Sequence, residues 1–234
     1  GVSGGIDSAV TSFLCAQTGL DVLCVLMPIH QAESQVSRAK EHIALLQSKF
    51  TKVKVATADL TSAFDDLTAI FPQDAEQEKL NLTLANTRSR LRMLTLYYYA
   101  GINSCLVAGT GNKIEDFGIG FFTKYGDGGV DISPIADLMK SEVYKLGAYL
   151  GVPDSILLAP PTDGLFGDDR SDEDQIGATY DELEKAMTAQ QNGKTSDDFS
   201  GREKEVFDIY VRLNTINQHK MNPIPVCEIP EELK

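Results

Sequence analysis

Short apolar runs alternate with amphipathic stretches over the first half of this chain, and that alternation restricts its fold more than any other feature. Asp21 to Met27 is nearly continuous in apolar residues, as a strand buried in a parallel sheet requires, and Pro28 stops it. Val53 to Thr57 and Ser104 to Ala108 read as two further strands. Helical patterns lie around them. One follows residue 5, with Val10, Phe13 and Leu14 on one face and Gly19 at its end. Others run from about Ala32 to Phe50, from Leu60 to Phe71 before Pro72, and from Leu80 to Ala100. In the last of these, Leu84, Leu91, Leu94 and Tyr98 fall on one face. Strand–helix alternation demands parallel strands joined by right-handed crossovers. The spacing predicts a doubly wound α/β core whose ligands gather at the carboxyl ends of its strands.

The chain opens with Gly1-Val2-Ser3-Gly4-Gly5-Ile6-Asp7-Ser8, directly before the first helical pattern. Adjacent glycines let the backbone turn sharply and approach a ligand closely. The serines add hydroxyl donors, and the helix start offers free N–H groups and the positive end of its dipole to an anion. A pyrophosphate group suits such a loop. Asp7 repels phosphates unless a cation sits between, and oxygen-rich sites of this kind take Mg²⁺. No Gly-Lys-Ser/Thr ends the loop, so it is not the NTPase P-loop. Such a loop hangs from a strand, and only two residues precede Ser3, so the natural N-terminus is expected upstream.

The 234 residues suit a single domain over 1–234. No apolar run reaches the length of a membrane span, and no signal peptide is visible. The formal charge of −13 comes without any Lys/Arg cluster, which excludes a nucleic-acid partner and favours small-molecule substrates. Cys15, Cys24, Cys105 and Cys227 have neither zinc nor iron–sulfur spacing and read as small buried residues of a reducing, cytoplasmic compartment.

Past Ile132 the pattern changes. Val143, Leu146 and Leu150 mark a short helix closed by Gly151 and Pro153. Ala159 to Asp174 is rich in Pro, Gly and Asp; Asp163, Asp168, Asp169, Asp172, Glu173 and Asp174 make it a solvated lid rather than core. Tyr180 to Met187 is helical, Gln190 to Ser200 is a linker, and Val206 to Ile216 gives a last amphipathic helix before His219-Lys220.

A second informative stretch follows the third strand. Gly109-Thr110-Gly111-Asn112-Lys113-Ile114-Glu115 leads into Gly120-Phe121-Phe122-Thr123-Lys124-Tyr125-Gly126-Asp127-Gly128-Gly129-Val130-Asp131. Thr110 lies past a strand end, on the sheet edge of the phosphate loop. Asp7 and Glu115 can bracket one Mg²⁺ whose octahedron is completed by phosphate oxygens and water.

Together these stretches resemble the ammonia-dependent NAD synthetase family of the N-type ATP pyrophosphatase superfamily. The carriers are Ser3 to Ser8, Asn86 with Arg88-Ser89-Arg90-Leu91-Arg92-Met93, Gly109-Thr110, Glu115, the Gly-Phe-Phe-Thr-Lys run, Pro161-Thr162-Asp163 and His219-Lys220. They span nearly the whole chain. The resemblance implies an adenine nucleotide alpha hydrolase-like fold, with a mostly parallel five-stranded sheet, helices on both faces and further C-terminal helices. It implies a ligase that amidates deamido-NAD⁺ to NAD⁺ with ammonia through an adenylated carboxylate, releasing AMP and pyrophosphate.

The resemblance also implies roles. Ser3, Gly4, Gly5, Asp7, Ser8, Thr110, Lys140 and Thr162 would contact ATP. Asp7 and Glu115 would hold Mg²⁺ and, with Lys140, form the catalytic set. Arg90, Lys124, Asp131, His219 and Lys220 would bind deamido-NAD⁺. A homodimer is implied, and the long helix with Tyr97, Tyr98 and Tyr99 is its candidate interface. Arg90 stands about 200° around that helix from both Arg88 and Arg92, so it faces elsewhere. The chain departs from the common pattern at Gly111-Asn112-Lys113, where many members carry Asp-His, and has one extra residue between Glu115 and the Gly-Phe-Phe run. His30 and Gln31 follow a strand end without an assigned role. Two other readings stand: a different adenylating member of the superfamily, and a nucleotide-binding relative without turnover.

Overall fold

A computed structural model describes residues 1–161 and 171–234. Two parallel strands, β1 (Val22–Leu26) and β2 (Val53–Thr57), pair in register with Val22 opposite Val53 and Leu26 opposite Thr57. The N-terminal residues run beside β1, and the Val2 N–H donates to the Val25 carbonyl (3.0 Å). Helix α1 (Ile6–Gln17) leaves the loop, α2 (Glu33–Lys49) crosses back between β1 and β2, and α3 (Thr61–Thr68) leads to the long α4 (Gln77–Asn103). A π-helical turn covers Lys113–Ile119. Then follow α5 (Lys140–Leu150), α6 (Asp154–Leu157), α7 (Asp172–Ile176), α8 (Tyr180–Gln191), α9 (Gly201–Ile216) and α10 (Gln218–Met221).

The five-stranded sheet is not what the described residues form: they hold two strands and one isolated parallel bridge, Ala108 to Ile132. A strand exists only where a partner accepts its N–H groups along its length. Beyond that bridge, the Val107–Gly109 backbone bonds only to Asp131 and Ile132, so no ladder extends, and Leu106 stays 69% exposed. Cys105 on that segment is exposed, as is Cys227, which corrects their reading as buried residues; Cys24 is buried and Cys15 half-buried.

Two apolar clusters carry the fold. In the first, α1, β1, α2 and α5 bury Val10, Phe13, Leu26, Leu46 and Val143. Each such side chain contributes about 1.5–3 kcal/mol of transfer free energy. Gly147 brings α5 close to α1, because a Cβ there would meet the Ile6 side chain at 2.7 Å. The second cluster joins Ile114 and Ile119 of the π-turn to Leu183, Phe207 and Tyr210 of α8 and α9. Of the acidic 159–174 segment, Asp163, Asp168 and Asp169 lie outside the described residues. Asp172 is buried at the start of α7. Its acidity suggested solvent, but the Tyr180 hydroxyl, which also meets Glu115, lies 3.3 Å from its Oδ2, and that contact offsets part of its desolvation.

Candidate active site

The opening loop is held by its own serines. The Ser3 N–H donates to Ser8 Oγ (3.2 Å), the Gly5 N–H to Ser3 Oγ (3.2 Å), and Ser8 Oγ donates to the Gly5 carbonyl (2.9 Å). Gly4 has φ +89°, and a Cβ there would lie 2.5 Å from the Gln35 carbonyl oxygen. Only glycine satisfies both demands. Gly5 caps α1 without a side-chain hydrogen bond, which leaves the first-turn N–H groups facing the cavity. That cavity holds about 290 Å³ and is lined by the loop, the end of β1, Thr110, Glu115 and Lys140.

Asp7, one residue inside α1, meets Glu115 of the π-turn across a closed set of hydrogen bonds. Lys140 Nζ donates to Asp7 Oδ2 (2.6 Å) and to Glu115 Oε1 (2.9 Å). Asn112 Nδ2 donates to Asp7 Oδ1 (2.9 Å) and to Glu115 Oε2 (2.6 Å). The Glu115 N–H donates back to Asn112 Oδ1 (3.0 Å), so Asn112 caps the π-turn that carries Glu115. The Tyr180 hydroxyl donates to Glu115 Oε1 as well, and lies 3.3 Å from Asp172 Oδ2. Its ring lies under the Lys140 ammonium, 4.9 Å from Nζ. Asp7 rides on the first apolar cluster and Glu115 on the second, so the seam between the two cores is stitched by charge.

Burial raises the Glu115 carboxyl, Lys140 opposes that shift, and Asp7 adds to it. Burial would lower the Lys140 ammonium, but Asp7 and Glu115 outweigh it and hold the charge above its usual range. Asp116 is pushed well up by burial and by Asp127, Glu115 and Asp7. Burial and the neighbouring carboxylates keep the Tyr180 phenol protonated, hence a donor.

Among the described residues, no group of three or more His, Cys, Asp or Glu is arranged to hold a metal ion. Asp7 and Glu115 are a pair, and Mg²⁺ is held by one or two carboxylates with substrate phosphates and waters rather than by a full protein cage. The donor set therefore fits that ion in the company of a phosphate. So does the charge: Asp7, Glu115, Asp116, Asp127 and Asp172 line this cavity against Lys140, Arg38 and Arg92, which leaves the carboxylates in excess.

The cationic residues of the sequence reading assemble elsewhere. Arg90 Nε donates to the Lys124 carbonyl (3.3 Å), Lys124 Nζ to the His219 carbonyl, and Lys220 Nζ to the Gly120 and Phe122 carbonyls (2.8 and 2.9 Å). The Gly-Phe-Phe-Thr-Lys run thus ties α4 to α10. Asp131 stands apart from that group, accepting from the Val107 N–H (2.8 Å) and the Tyr97 hydroxyl (3.1 Å). None of these five lines the cavity at Asp7 and Glu115. Thr162 lies outside the described residues. Arg90 does face away from its neighbours: Arg88 lies over the Phe64 ring (4.3 Å), and Arg92 reaches the Met27 carbonyl (3.1 Å) and Gln31 Oε1 (2.7 Å). Gln31 joins the cavity wall, whereas His30, at φ +49°, turns out to Asp65 (2.7 Å).

Sequence reasoning missed Asn112, Tyr180 and Asp172 as members of the site. Asn112 carried a signal, because it sat inside the stretch that departs from the common pattern. Tyr180 and Asp172 carried none, since neither chain distance nor residue type announces which carboxylate a phenol will meet.

A model of the NAD synthase family matches residues 1–224. The NH₃-dependent NAD⁺ synthetase of Syntrophomonas wolfei is 38% identical, with 100% of this chain and 88% of that protein covered. The NH₃-dependent NAD⁺ synthetase of Finegoldia magna is 38% identical over 84% of this chain and 78% of its own length. Among solved structures, the NMN synthetase of Francisella tularensis superposes with TM-score 0.82 at 31% identity, covering 97% of this chain and 87% of that one. With the phosphate loop, the carboxylate pair and these likenesses in agreement, the chain belongs to the NAD synthase family.

Proposed function

We propose that this chain amidates the nicotinate carboxylate of deamido-NAD⁺ to give NAD⁺, consuming ATP and ammonia. A carboxylate is a poor electrophile with a poor leaving group. Its oxygen first attacks the α-phosphorus of ATP, and pyrophosphate departs. Ammonia then attacks the carbonyl carbon of the adenylate, loses a proton, and expels AMP. The observation that carries this reading is the Asp7–Lys140–Glu115 set beside the serine-held loop, where anion donors and paired carboxylates face one cavity.

In this reading Ser3, Gly4, Gly5 and Ser8 hold the pyrophosphate portion of ATP with N–H and hydroxyl donors, and Thr110 and Thr162 make further ATP contacts. Lys140 keeps its proton throughout and places a fixed positive charge beside the departing pyrophosphate, the place where charge develops. Asp7 and Glu115 would hold Mg²⁺, which would supply charge neutralisation on the phosphates. Arg90, Lys124, His219 and Lys220 receive the dinucleotide, whose pyrophosphate suits cationic donors, and Asp131 receives its hydroxyl or amide groups. The protein acts in the cytoplasm as a homodimer, with α4 at the interface: Leu94, Tyr98 and Ile102 expose apolar surface along it. No helix of the described residues is long and apolar enough to cross a membrane.

A second substrate reading is favoured by one observation, the likeness to a protein described as an NMN synthetase. There the acceptor would be nicotinate mononucleotide, with the same chemistry at the carboxylate. The test measures pyrophosphate and amide product with ATP–Mg²⁺, ammonium, and either the dinucleotide or the mononucleotide acid, each omitted in turn. NAD⁺ formed only with all components supports the proposal. Turnover of the mononucleotide in preference installs the second reading, and no pyrophosphate with either refutes both.

A further inference from the structure

Helix α8 contributes nothing to the phosphate loop, yet two of its side chains, one turn apart, grip the opposite wall of the site. Tyr180 is 6% exposed. Its hydroxyl donates to Glu115 Oε1, the same oxygen that accepts from Lys140. Its ring carries the Lys140 ammonium on its face, 4.9 Å away. Four residues on, Glu184 accepts from the Ser141 N–H (2.9 Å) and from Ser141 Oγ (2.8 Å). Ser141 is the residue after Lys140, in the first turn of α5, so Glu184 pins the backbone from which Lys140 projects.

We propose that Tyr180 is a positioning residue for the phosphate and metal site: its hydroxyl orients the Glu115 carboxylate, its ring orients Lys140, and Glu184 fixes the start of α5 beneath them. This rests on the functional reading above, in which Glu115 and Lys140 meet ATP and its cation. The physical reason is geometric. A glutamate has three rotatable side-chain bonds and Glu115 sits on a single π-turn, so its carboxylate needs outside contacts to hold one orientation. Asn112 fixes Oε2, and Tyr180 fixes Oε1 from α8, within the same apolar cluster as the π-turn. A phenol has one proton to give, and the shorter of its two carboxylate contacts is to Glu115, with Asp172 at 3.3 Å. Groups that hold a ligating carboxylate in place typically carry about 10–100-fold in metal affinity or activity.

The experiment compares Tyr180→Phe, Glu184→Gln and Leu183→Val with wild type in the full chain. Leu183 is fully buried on the same helix within the second apolar cluster, so its variant isolates loss of packing. Mn²⁺ uptake is titrated calorimetrically with ATP and no acceptor, so that nothing turns over, and KM for ATP and kcat are measured separately. The expected result for Tyr180→Phe is Mn²⁺ affinity weakened by about tenfold, with kcat reduced by a similar factor. Glu184→Gln should raise KM for ATP with little change in Mn²⁺ affinity. Leu183→Val should lower the melting temperature and leave both constants alone. Wild-type values in Tyr180→Phe overturn the inference, as does Leu183→Val losing Mn²⁺ affinity to the same extent. If wild type itself binds no Mn²⁺ with ATP, the functional reading fails and the inference falls with it; if wild type is active and only Tyr180→Phe is silent, the inference alone falls.

Discussion

Replacing Lys140 by methionine keeps the aliphatic stem and removes the one ammonium between Asp7 and Glu115. The Lys140 side chain is 4% exposed, and those of Asp7 and Glu115 are 18% and 13% exposed, so water compensates little. Two charge-assisted hydrogen bonds of 2.6 and 2.9 Å disappear, and two carboxylates are left facing one another. Breaking a buried pair by deleting one partner costs about 3–5 kcal/mol. The surviving Asn112 bonds place this case toward the lower end. At about 2–4 °C per kcal/mol for a chain of this size, the melting temperature should fall by about 10 °C. Thermal unfolding by circular dichroism without nucleotide measures it. The cause is separable from lost packing, because Asp7→Asn added to Lys140→Met removes the repulsion. The double variant should be more stable than the sum of the singles predicts by more than about 1 kcal/mol. A melting temperature within about 2 °C of wild type, or additivity within about 0.5 kcal/mol, would refute the assignment of Lys140 as the countercharge of this pair.

His42 is fully buried between α2 and α1, where its Nε2 meets Ser12 Oγ at 2.9 Å and its Nδ1 finds no partner. Burial lowers its folded-state value from 6.5 to about 4. The unfolded chain therefore binds a proton that the native one refuses between those values, so His42 costs stability as pH falls from about 6.5 to 4, by up to about 3 kcal/mol. The difference in unfolding free energy between wild type and His42→Gln, followed from pH 7 to pH 4, should shift in the variant's favour by that order; a flat difference would show that His42 does not titrate on unfolding. Gly4→Ala forces a side chain onto φ +89° and into the Gln35 carbonyl. It should cost about 1–3 kcal/mol of stability and raise KM for ATP more than KM for the acceptor, which steady-state kinetics with each substrate varied in turn will check.

Helices α1, α2 and α8 were legible because each buries a face with the 3.6-residue period, whereas α4 leaves Leu94 and Tyr98 of its apolar face exposed. Val53 to Thr57 was read to the residue, and the helix expected over Ala32 to Phe50 spans Glu33–Lys49. What failed was the third strand. Ser104 to Ala108 has strand composition, but composition cannot supply a partner, and the segment finds one bridge only. The acidic stretch misled in a related way: hydrophilicity predicts exposure for Glu173 and Asp174, yet Asp172 among them is 5% exposed, with the Tyr180 hydroxyl 3.3 Å from its Oδ2. The loop at Ser3 to Ser8 and the Asp7–Glu115 pairing were readable from motif and spacing. Family likeness implied Lys140 as an ATP contact and a member of the catalytic set; its place between those carboxylates had no sequence signal, since α1 and α5 are apposed through Gly147 and tertiary packing of that kind leaves no local trace.

The loop and the carboxylates make opposite demands on a ligand, and that opposition yields a final prediction. The first-turn N–H groups of α1 and the Ser3 and Ser8 hydroxyls favour an anion. Asp7, Glu115, Asp116, Asp127 and Asp172 line the same cavity, with Lys140 set between two of them and Arg38 and Arg92 on its wall, so carboxylates stay in excess. Burial, and then the neighbouring Asp127, Glu115 and Asp7, hold the Asp116 carboxyl well above the usual carboxylate range. A bare triphosphate adds about four charges to that field; one that arrives with a divalent cation adds about half as many and supplies a partner for Asp7 and Glu115. ATP affinity should therefore fall by at least tenfold when Mg²⁺ is withheld with a chelator, a loss of about 1.4 kcal/mol or more. Affinity for the dinucleotide acid should change far less, because Arg90, Lys124 and Lys220 lie outside that cavity. Calorimetric titration of each ligand with and without Mg²⁺ separates the two. Equal ATP affinity in both conditions would mean that Lys140 alone neutralises the pair, and that Asp7 and Glu115 serve to hold the lysine rather than a metal.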